Sequence, residues 1–293
     1  MSSKSATASL LRWPVLFARF VKLEHSVFAL PFAYAGAFFA FNRIPGFTRL
    51  LWITVAMVGA RSLAMALNRI IDYEIDARNP RTAGRELPAG KLTLDQAAAF
   101  SALSLAVLAV ALYQLPPLTW YLSPIAIAAF VFYPYTKRFT SLCHVFLGAT
   151  IGLAPVGAWV AVTYHLAWQP FLLMGVVTFW IGGFDIIYAC MDLDFDRREG
   201  IHSLPASIGV GKSLLVTKLF HVLAVVLLVA VGMARHLGII YYVGVAVVAV
   251  LLAYENAIVT SRDLSRVGMA FMTMNGVISV VYIAFVTADL LAR

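Results

Sequence analysis

The chain has 293 residues, of which 62% are hydrophobic and only 12% charged, with a formal net charge of +8. Soluble domains carry about 25% charged residues, so this composition excludes an ordinary water-soluble fold and indicates a membrane protein. The positive balance does not imply a nucleic-acid partner, because the basic residues are sorted by membrane side.

The N-terminal stretch is interrupted by Arg12, Pro14 and Arg19 and lacks the apolar core and cleavage site of a signal peptide. Residues 1–24 read instead as a basic, cytoplasmic, amphipathic segment lying on the membrane, with Leu10, Leu11, Trp13, Phe17 and Phe20 on its apolar side. From residue 25 onward, apolar runs near the ~20 residues needed to cross a bilayer recur to the end of the chain. Nine are readable, at roughly 26–42, 50–71, 96–114, 118–134, 142–163, 171–191, 213–233, 238–257 and 269–290. The expectation is an all-α integral membrane protein, a single membrane domain over residues 1–293 with nine transmembrane helices around a central cavity.

Pro31 falls inside the first span, where it favours a kink. Lys4, Arg12, Arg19, Lys22, the run from Arg61 to Lys91, Lys137, Arg138, Arg197, Arg198, Lys212, Lys218, Arg262 and Arg266 all fall at or near one side. Only Arg43, Arg49, Arg235 and Arg293 fall on the other. The positive-inside rule therefore puts the N-terminus in the cytoplasm and the C-terminus opposite, as an odd number of spans requires.

The second span ends in polar residues. At about 100° per residue, Arg61, Asn68 and Asp72 share one helical face, and Asp76 follows one turn later. From Asp76 to Asp95 the chain is too polar to cross a bilayer, and Asn79-Pro80 and Pro88-Ala89-Gly90 break it into a cytoplasmic loop. Pro116 and Pro117 turn the third span into the fourth, and the loop Tyr133 to Ser141 carries the adjacent pair Lys137-Arg138. The fifth span contains Gly148, Gly152 and Gly157, small residues of the kind that let helices pack closely in lipid.

The sixth span ends as the second does. Asp185, Asp192 and Asp196 share a face, with Tyr188 beside them, whereas Asp194 points away. Asn68-x3-Asp72-x3-Asp76 is thus matched by Tyr188-x3-Asp192-x3-Asp196, four spans later. That spacing suggests two four-helix halves and an added ninth helix, with the acidic stripes facing each other across the cavity.

Carboxylates at membrane depth are costly unless they meet a cavity, a partner or a metal, and they mark function. Several acids converging on one pocket raise one another's pKa values and call for cations. Oxygen-only ligands favour Mg²⁺, which typically bridges one or two carboxylates to substrate phosphates. The surrounding Arg61, Arg78, Arg81, Arg85, Lys91, Lys137 and Arg198 suit a polyanion. A diphosphate on a long apolar tail fits both halves of this design.

Other signals carry little. Gly209-Val-Gly211-Lys212-Ser213 lacks the earlier glycine of a phosphate loop. Cys143 and Cys190 form no metal-ligand spacing. His165, His221 and His236 read as interface residues at loops or span ends, with His144 and His25 nearer the acids. A cation-coupled transporter also carries intramembrane acids, but it does not account for two metal-spaced ladders flanked by phosphate-type donors on one side. A phosphatidyl-transfer enzyme would need a lead-in motif that is absent.

Asn68 to Asp76, Asn79-Pro-Arg-Thr-Ala, Leu87 to Lys91, Tyr133-Pro-Tyr-Thr-Lys137-Arg138 and Asp185-x2-Tyr188-x3-Asp192-x3-Asp196 together resemble the UbiA superfamily of membrane aromatic prenyltransferases, over roughly residues 20–290. The resemblance implies a Mg²⁺-dependent transfer of a polyprenyl group from polyprenyl diphosphate to the ring of an aromatic acid. The expected acceptor is 4-hydroxybenzoate in respiratory quinone biosynthesis, with a dihydroxynaphthoate in menaquinone biosynthesis as the alternative. It implies catalytic and metal roles for Asp72, Asp76, Asp192 and Asp196, with Asn68 beside them. It implies substrate contacts from Arg61, Arg81, Lys91, Lys137, Asp185 and Tyr188, and pairing of Arg138 with the acceptor's carboxylate. The implied setting is the bacterial inner membrane, with the site facing the cytoplasm. Two departures bear on the acceptor: Lys22-Leu-Glu24-His25 precedes the first span, resembling the futalosine branch of menaquinone synthesis, and His202 stands where the family commonly has lysine.

Overall fold

The computed structural model of the chain describes residues 13–22 and 26–293. Leu10 and Leu11 of the expected amphipathic segment, and Glu24 and His25 of the first-span motif, lie outside the described residues. Among the described residues there is no strand, and the regular structure is helical.

Among the described residues, eight helices are long and apolar enough, by length and composition, to cross a membrane. They are α3 (Phe47–Ile71), α5 (Leu94–Tyr113), α6 (Pro117–Thr136), α7 (Cys143–Thr163), α8 (Gln169–Ala189) with its continuation to Glu199, α11 (Val210–Ala234), α12 (Ile239–Ile258) and the last segment to Leu291. The first expected span is the shorter α2, Ser26–Phe41, with Pro31 inside it. Its 16 residues reach about 24 Å at 1.5 Å per residue, less than a hydrocarbon core of about 30 Å. Large apolar side chains such as Leu103, Ile125, Leu215, Val226 and Val250 are exposed on the outside, the arrangement expected where the solvent is lipid.

Helix α2 runs through the core. Phe32 stacks against Tyr282 and lies against Trp180, both at 4.9 Å between ring centroids. Close approach between helices depends on glycine. A Cβ on Gly36 would collide with the Pro155 carbonyl of α7, one on Gly148 with the Thr178 carbonyl of α8, and one on Gly152 would lie 2.8 Å from the Met174 carbonyl. Gly148 and Gly152 therefore seat α7 on α8, whereas Gly157 has open space around it and does not serve packing.

A short helix α1 over residues 13–20 precedes α2. Its Phe17 meets Phe100 edge-on at 5.0 Å, and Phe20 and Val21 are fully buried in a cluster with Ala66, Leu87, Leu92 and Ala97. Phe17 and Phe20, two residues of the apolar side expected to lie on the membrane, are thus used against the bundle. The same cluster pins the loop from Asn79 to Leu92, which ends in a capping box between Thr93 and Gln96.

His221 differs from its expected interface position. It is buried within α11, where its Nδ1 hydrogen-bonds to the Asn256 amide at 2.6 Å and its ring packs on Gly183 of α8.

Candidate active site

The two acidic ladders are built on the same backbone device. Helix α3 ends at Ile71, and Asp72, at φ −93 and ψ 6, joins it to the short α4 (Tyr73–Arg78). Helix α8 passes through one tight turn, Cys190–Asp192, and Asp192, at φ −101 and ψ 6, joins it to α9 (Leu193–Glu199). Both aspartates therefore occupy the sparsely populated bridge region, where many active-site residues sit. The uninterrupted helical stripe expected from spacing is broken at the same point in each copy.

Both breaks open onto one cavity of about 630 Å³. Asn68, Asp72, Asp76, Asp192, Asp196, Arg61, Arg81, Lys137, Asp185 and Tyr188 all line it. Asp194 is exposed, as its helical phase requires. Two expected residues are placed elsewhere. Lys91 is exposed and its Nζ reaches the Gly84 carbonyl at 3.4 Å. Arg138 is also exposed, donating from Nη2 to the Ile71 carbonyl at 2.7 Å and lying over the Tyr135 ring at 4.8 Å. Helix phase explains this: Lys137 takes the inward position, so its neighbour turns out. His202 is exposed as well, and its backbone N–H donates to the Lys137 carbonyl at 2.7 Å.

Charge is balanced within the site by the chain itself. Lys137 Nζ lies 2.7 Å from Asp72 Oδ2, which also accepts from Asn68 Nδ2 at 2.9 Å. Arg85 Nη1 donates to both oxygens of Asp76 at 2.8 and 2.7 Å. Arg81 reaches across from the first loop to the second motif, gripping Asp192 with Nε at 2.7 Å and with Nη2, and donating from Nη1 to the Tyr188 hydroxyl at 2.7 Å. Asn79 Nδ2 adds a bond to Asp192 at 2.8 Å, and Arg78 pairs with Glu199 at 2.8 Å. Fork-shaped guanidinium contacts of this kind are the strong, directional ones. Burial still pushes the Asp72 carboxyl above its ordinary value, against the opposing pull of Lys137.

Arg69, Tyr133, His144 and Arg85 line the cavity besides those ten. Arg69 is buried, and its Nε and Nη1 have no hydrogen-bond partner among the described residues. Arg61, one of the ten, likewise has an unpartnered, buried Nε. The signal for His144 was an ionisable side chain inside an apolar helix. Arg69 carried no such signal, because an arginine at the end of a span looks like a topology marker.

A second, apolar chamber of about 310 Å³ adjoins the first, bounded by α3, α5, α6 and α7. Arg61, Tyr133, Leu147 and Ile151 line both spaces. Gly157, free of packing duty, lines the apolar one.

Asp72 Oδ1 is buried without a hydrogen-bond partner among the described residues, so one lone-pair-bearing oxygen is left for a ligand. Among the described residues no group of three His, Cys, Asp or Glu side chains converges to hold a metal unaided. The carboxylate oxygens that line the cavity, the unpartnered Asp72 Oδ1 among them, are donors that suit Mg²⁺, which takes one or two carboxylates and completes its shell from water and phosphate.

An all-helical membrane bundle, with two matched acidic breaks over a cation-lined cavity that continues into an apolar chamber, defines a protein for an anionic headgroup on an apolar tail. The model of the UbiA prenyltransferase family matches residues 29–277. The 4-hydroxybenzoate octaprenyltransferase of Marinobacter nauticus is 33% identical over 233 residues, 79% of this chain and 79% of that protein. The enzyme of the same name from Tolumonas auensis is 31% identical over 268 residues, 92% of this chain and 87% of its own length. Among solved structures, a UbiA homolog from Aeropyrum pernix K1 superposes with a TM-score of 0.82 at 33% identity, covering 91% of this chain and 98% of that one. A UbiA homolog from Archaeoglobus fulgidus bound to GPP and Mg²⁺ shares the fold, with a TM-score of 0.73 at 17% identity, over 94% of this chain and 99% of that one. The chain belongs to the UbiA prenyltransferase family and is an integral-membrane polyprenyltransferase.

Proposed function

We propose that the protein transfers a polyprenyl group from polyprenyl diphosphate to the ring of an aromatic acid, 4-hydroxybenzoate first among acceptors, in respiratory quinone biosynthesis. The observation that carries this reading is the pair of matched breaks at Asp72 and Asp192, opening on one cavity that continues into an apolar chamber. The names of the curated relatives support the acceptor, and the transporter reading is set aside with the family assignment.

In this reading the diphosphate lies between the two motifs and the tail enters the chamber bounded by α3, α5, α6 and α7. Asp72 and Asp76, with Asn68 alongside, and Asp192 with Asp196 would hold Mg²⁺, the first pair through the unpartnered Asp72 Oδ1. When bound, Mg²⁺ supplies Lewis-acid stabilisation of the charge that develops on the leaving diphosphate. Lys137, Arg81 and Arg85 exchange their carboxylate partners for phosphate oxygens as the donor enters, which frees those carboxylates for Mg²⁺. Arg69, with unspent N–H groups beside Asp76, adds a further donor.

The acceptor's carboxylate is assigned to Arg61 in preference to Arg138. Arg61 lines the cavity at its junction with the apolar chamber and has an unused N–H, whereas Arg138 points outward onto Ile71 and Tyr135. The tail's cation is shielded by Tyr133, Phe184, Tyr188 and Phe195, whose rings line the cavity and whose π faces stabilise positive charge. The site faces the cytoplasm of a bacterial inner membrane, following the basic residues.

The test is to incubate the purified protein with Mg²⁺, a polyprenyl diphosphate and, in separate arms, 4-hydroxybenzoate and a dihydroxynaphthoate. A prenylated hydroxybenzoate is expected, with Asp72→Ala and Asp192→Ala each reducing product by at least about 100-fold, the scale of one lost transition-state charge contact. Product from neither acceptor overturns the proposal.

A further inference from the structure

Replacing a ring hydrogen by a prenyl group requires a group that takes the proton. Asp185 lies seven residues before Asp192 on the same side, about 10 Å deeper along the helix at 1.5 Å per residue. It therefore sits below the proposed diphosphate position, beside the space where the reacting ring is held. Its carboxylate lines the cavity and is 25% exposed. Oδ2 is fixed by His144 Nδ1 at 2.7 Å, while Oδ1 has no hydrogen-bond partner among the described residues.

His144 is itself locked. It is buried, and its Nε2 accepts the Leu204 backbone N–H at 3.2 Å. Accepting that bond leaves the ring hydrogen on Nδ1, so the imidazole is neutral and donates to Asp185. Leu204 opens the short helix α10 (Leu204–Ile208). The residues leading into it are stitched to the loop before α7 by His202 N–H on the Lys137 carbonyl at 2.7 Å and to the first residue of α7 by Cys143 Sγ on the His202 carbonyl at 3.7 Å. One oxygen of Asp185 is thus held, oriented and partnered, and the other is presented to the cavity. Unlike Asp72, Asp76 and Asp192, this carboxylate has no lysine or arginine bound to it among the described residues.

We infer that Asp185 Oδ1 accepts the ring proton during prenyl transfer and that His144 is the residue that positions it. The inference rests on the aromatic prenylation proposed above. The C1–O bond of the allylic diphosphate breaks with both electrons leaving on the diphosphate, and a ring π pair forms the new C–C bond to C1. The ring carbon then loses its hydrogen to Asp185 as a proton, the C–H pair restores aromaticity, and the proton passes to water when product leaves. A base so placed contributes about 10²- to 10⁴-fold.

The experiment compares wild type with Asp185→Asn, measuring diphosphate released from the donor and prenylated ring formed, with ordinary and ring-deuterated 4-hydroxybenzoate. In Asp185→Asn, prenylated product is expected to fall by about 10²-fold or more. Diphosphate release continues there, with water capturing the prenyl group as its alcohol, and the deuterium isotope effect on product rises above that of wild type. His144→Leu is expected to shift product and isotope effect in the same direction with donor release intact, and His144→Gln, whose amide N–H reaches the same carboxylate, to restore them. Wild-type product rates in Asp185→Asn, an unchanged isotope effect, or loss of donor ionisation in step with product each overturn the inference while leaving the proposed function standing. Absence of prenylated ring from wild type overturns the function and this inference together.

Discussion

At the scale of single residues, the site separates cations that are already engaged from cations with bonds to spare. Lys137, Arg81 and Arg85 are each bound to a motif carboxylate, whereas Arg61 and Arg69 have buried N–H groups without partners among the described residues. This sorts the effects of mutation. Arg61→Ala is expected to raise the KM for the aromatic acid by about 10-fold or more, the cost of a lost charge-assisted bond. Arg138→Ala is expected to leave that KM nearly unchanged, because its guanidinium is spent on Ile71 and Tyr135; steady-state kinetics on the two variants decide between them. The acids were legible in the sequence because a carboxylate in an apolar run is too costly to be carried without a role. The basic partners were only half legible, since membrane topology enriches arginine and lysine at span ends whatever the site requires.

At the scale of elements, spacing identified the helices but not their interruptions. A residue at φ −93 and ψ 6 shifts the helix by less than a turn, so the three-residue gaps on either side of Asp72 still look periodic. The same holds at Asp192. Packing between elements was more readable: Gly148 and Gly152, one turn apart, meet Thr178 and Met174, one turn apart on α8. Gly148→Leu forces side-chain atoms into the α8 backbone, and overpacking of this kind costs about 1–3 kcal/mol. A lower unfolding temperature in detergent, with loss of activity, is the expected outcome. Gly157→Ala, placed in open space, is expected to leave the unfolding temperature unchanged.

At the scale of the whole molecule, composition alone assigned the solvent, and the periodic runs gave all the span-length helices to within a few residues. What they could not give was the length of α2 relative to the bilayer, because a buried helix and a spanning one are equally apolar. The proposed orientation rests on the basic residues. With Cys143 and Cys190 replaced by serine, a cysteine introduced at Lys91 is expected to react with a membrane-impermeant maleimide only from the cytoplasmic face. One introduced at Arg43, at the opposite end of the bundle, is expected to react only from the other face, and the reverse pattern would invert the assigned topology.

Arg81 belongs to the loop that follows the first motif, yet the acid it neutralises, Asp192, belongs to the second. Whatever draws Arg81 away leaves Asp192 short of its counter-charge and ready for another. On the proposed function, occupancy of the two motifs is therefore expected to be thermodynamically linked, with filling of one changing the affinity of the other by the same factor in both directions. The Arg81–Asp192 pair thus joins two motifs separated by more than a hundred residues of sequence into one charge-balanced unit.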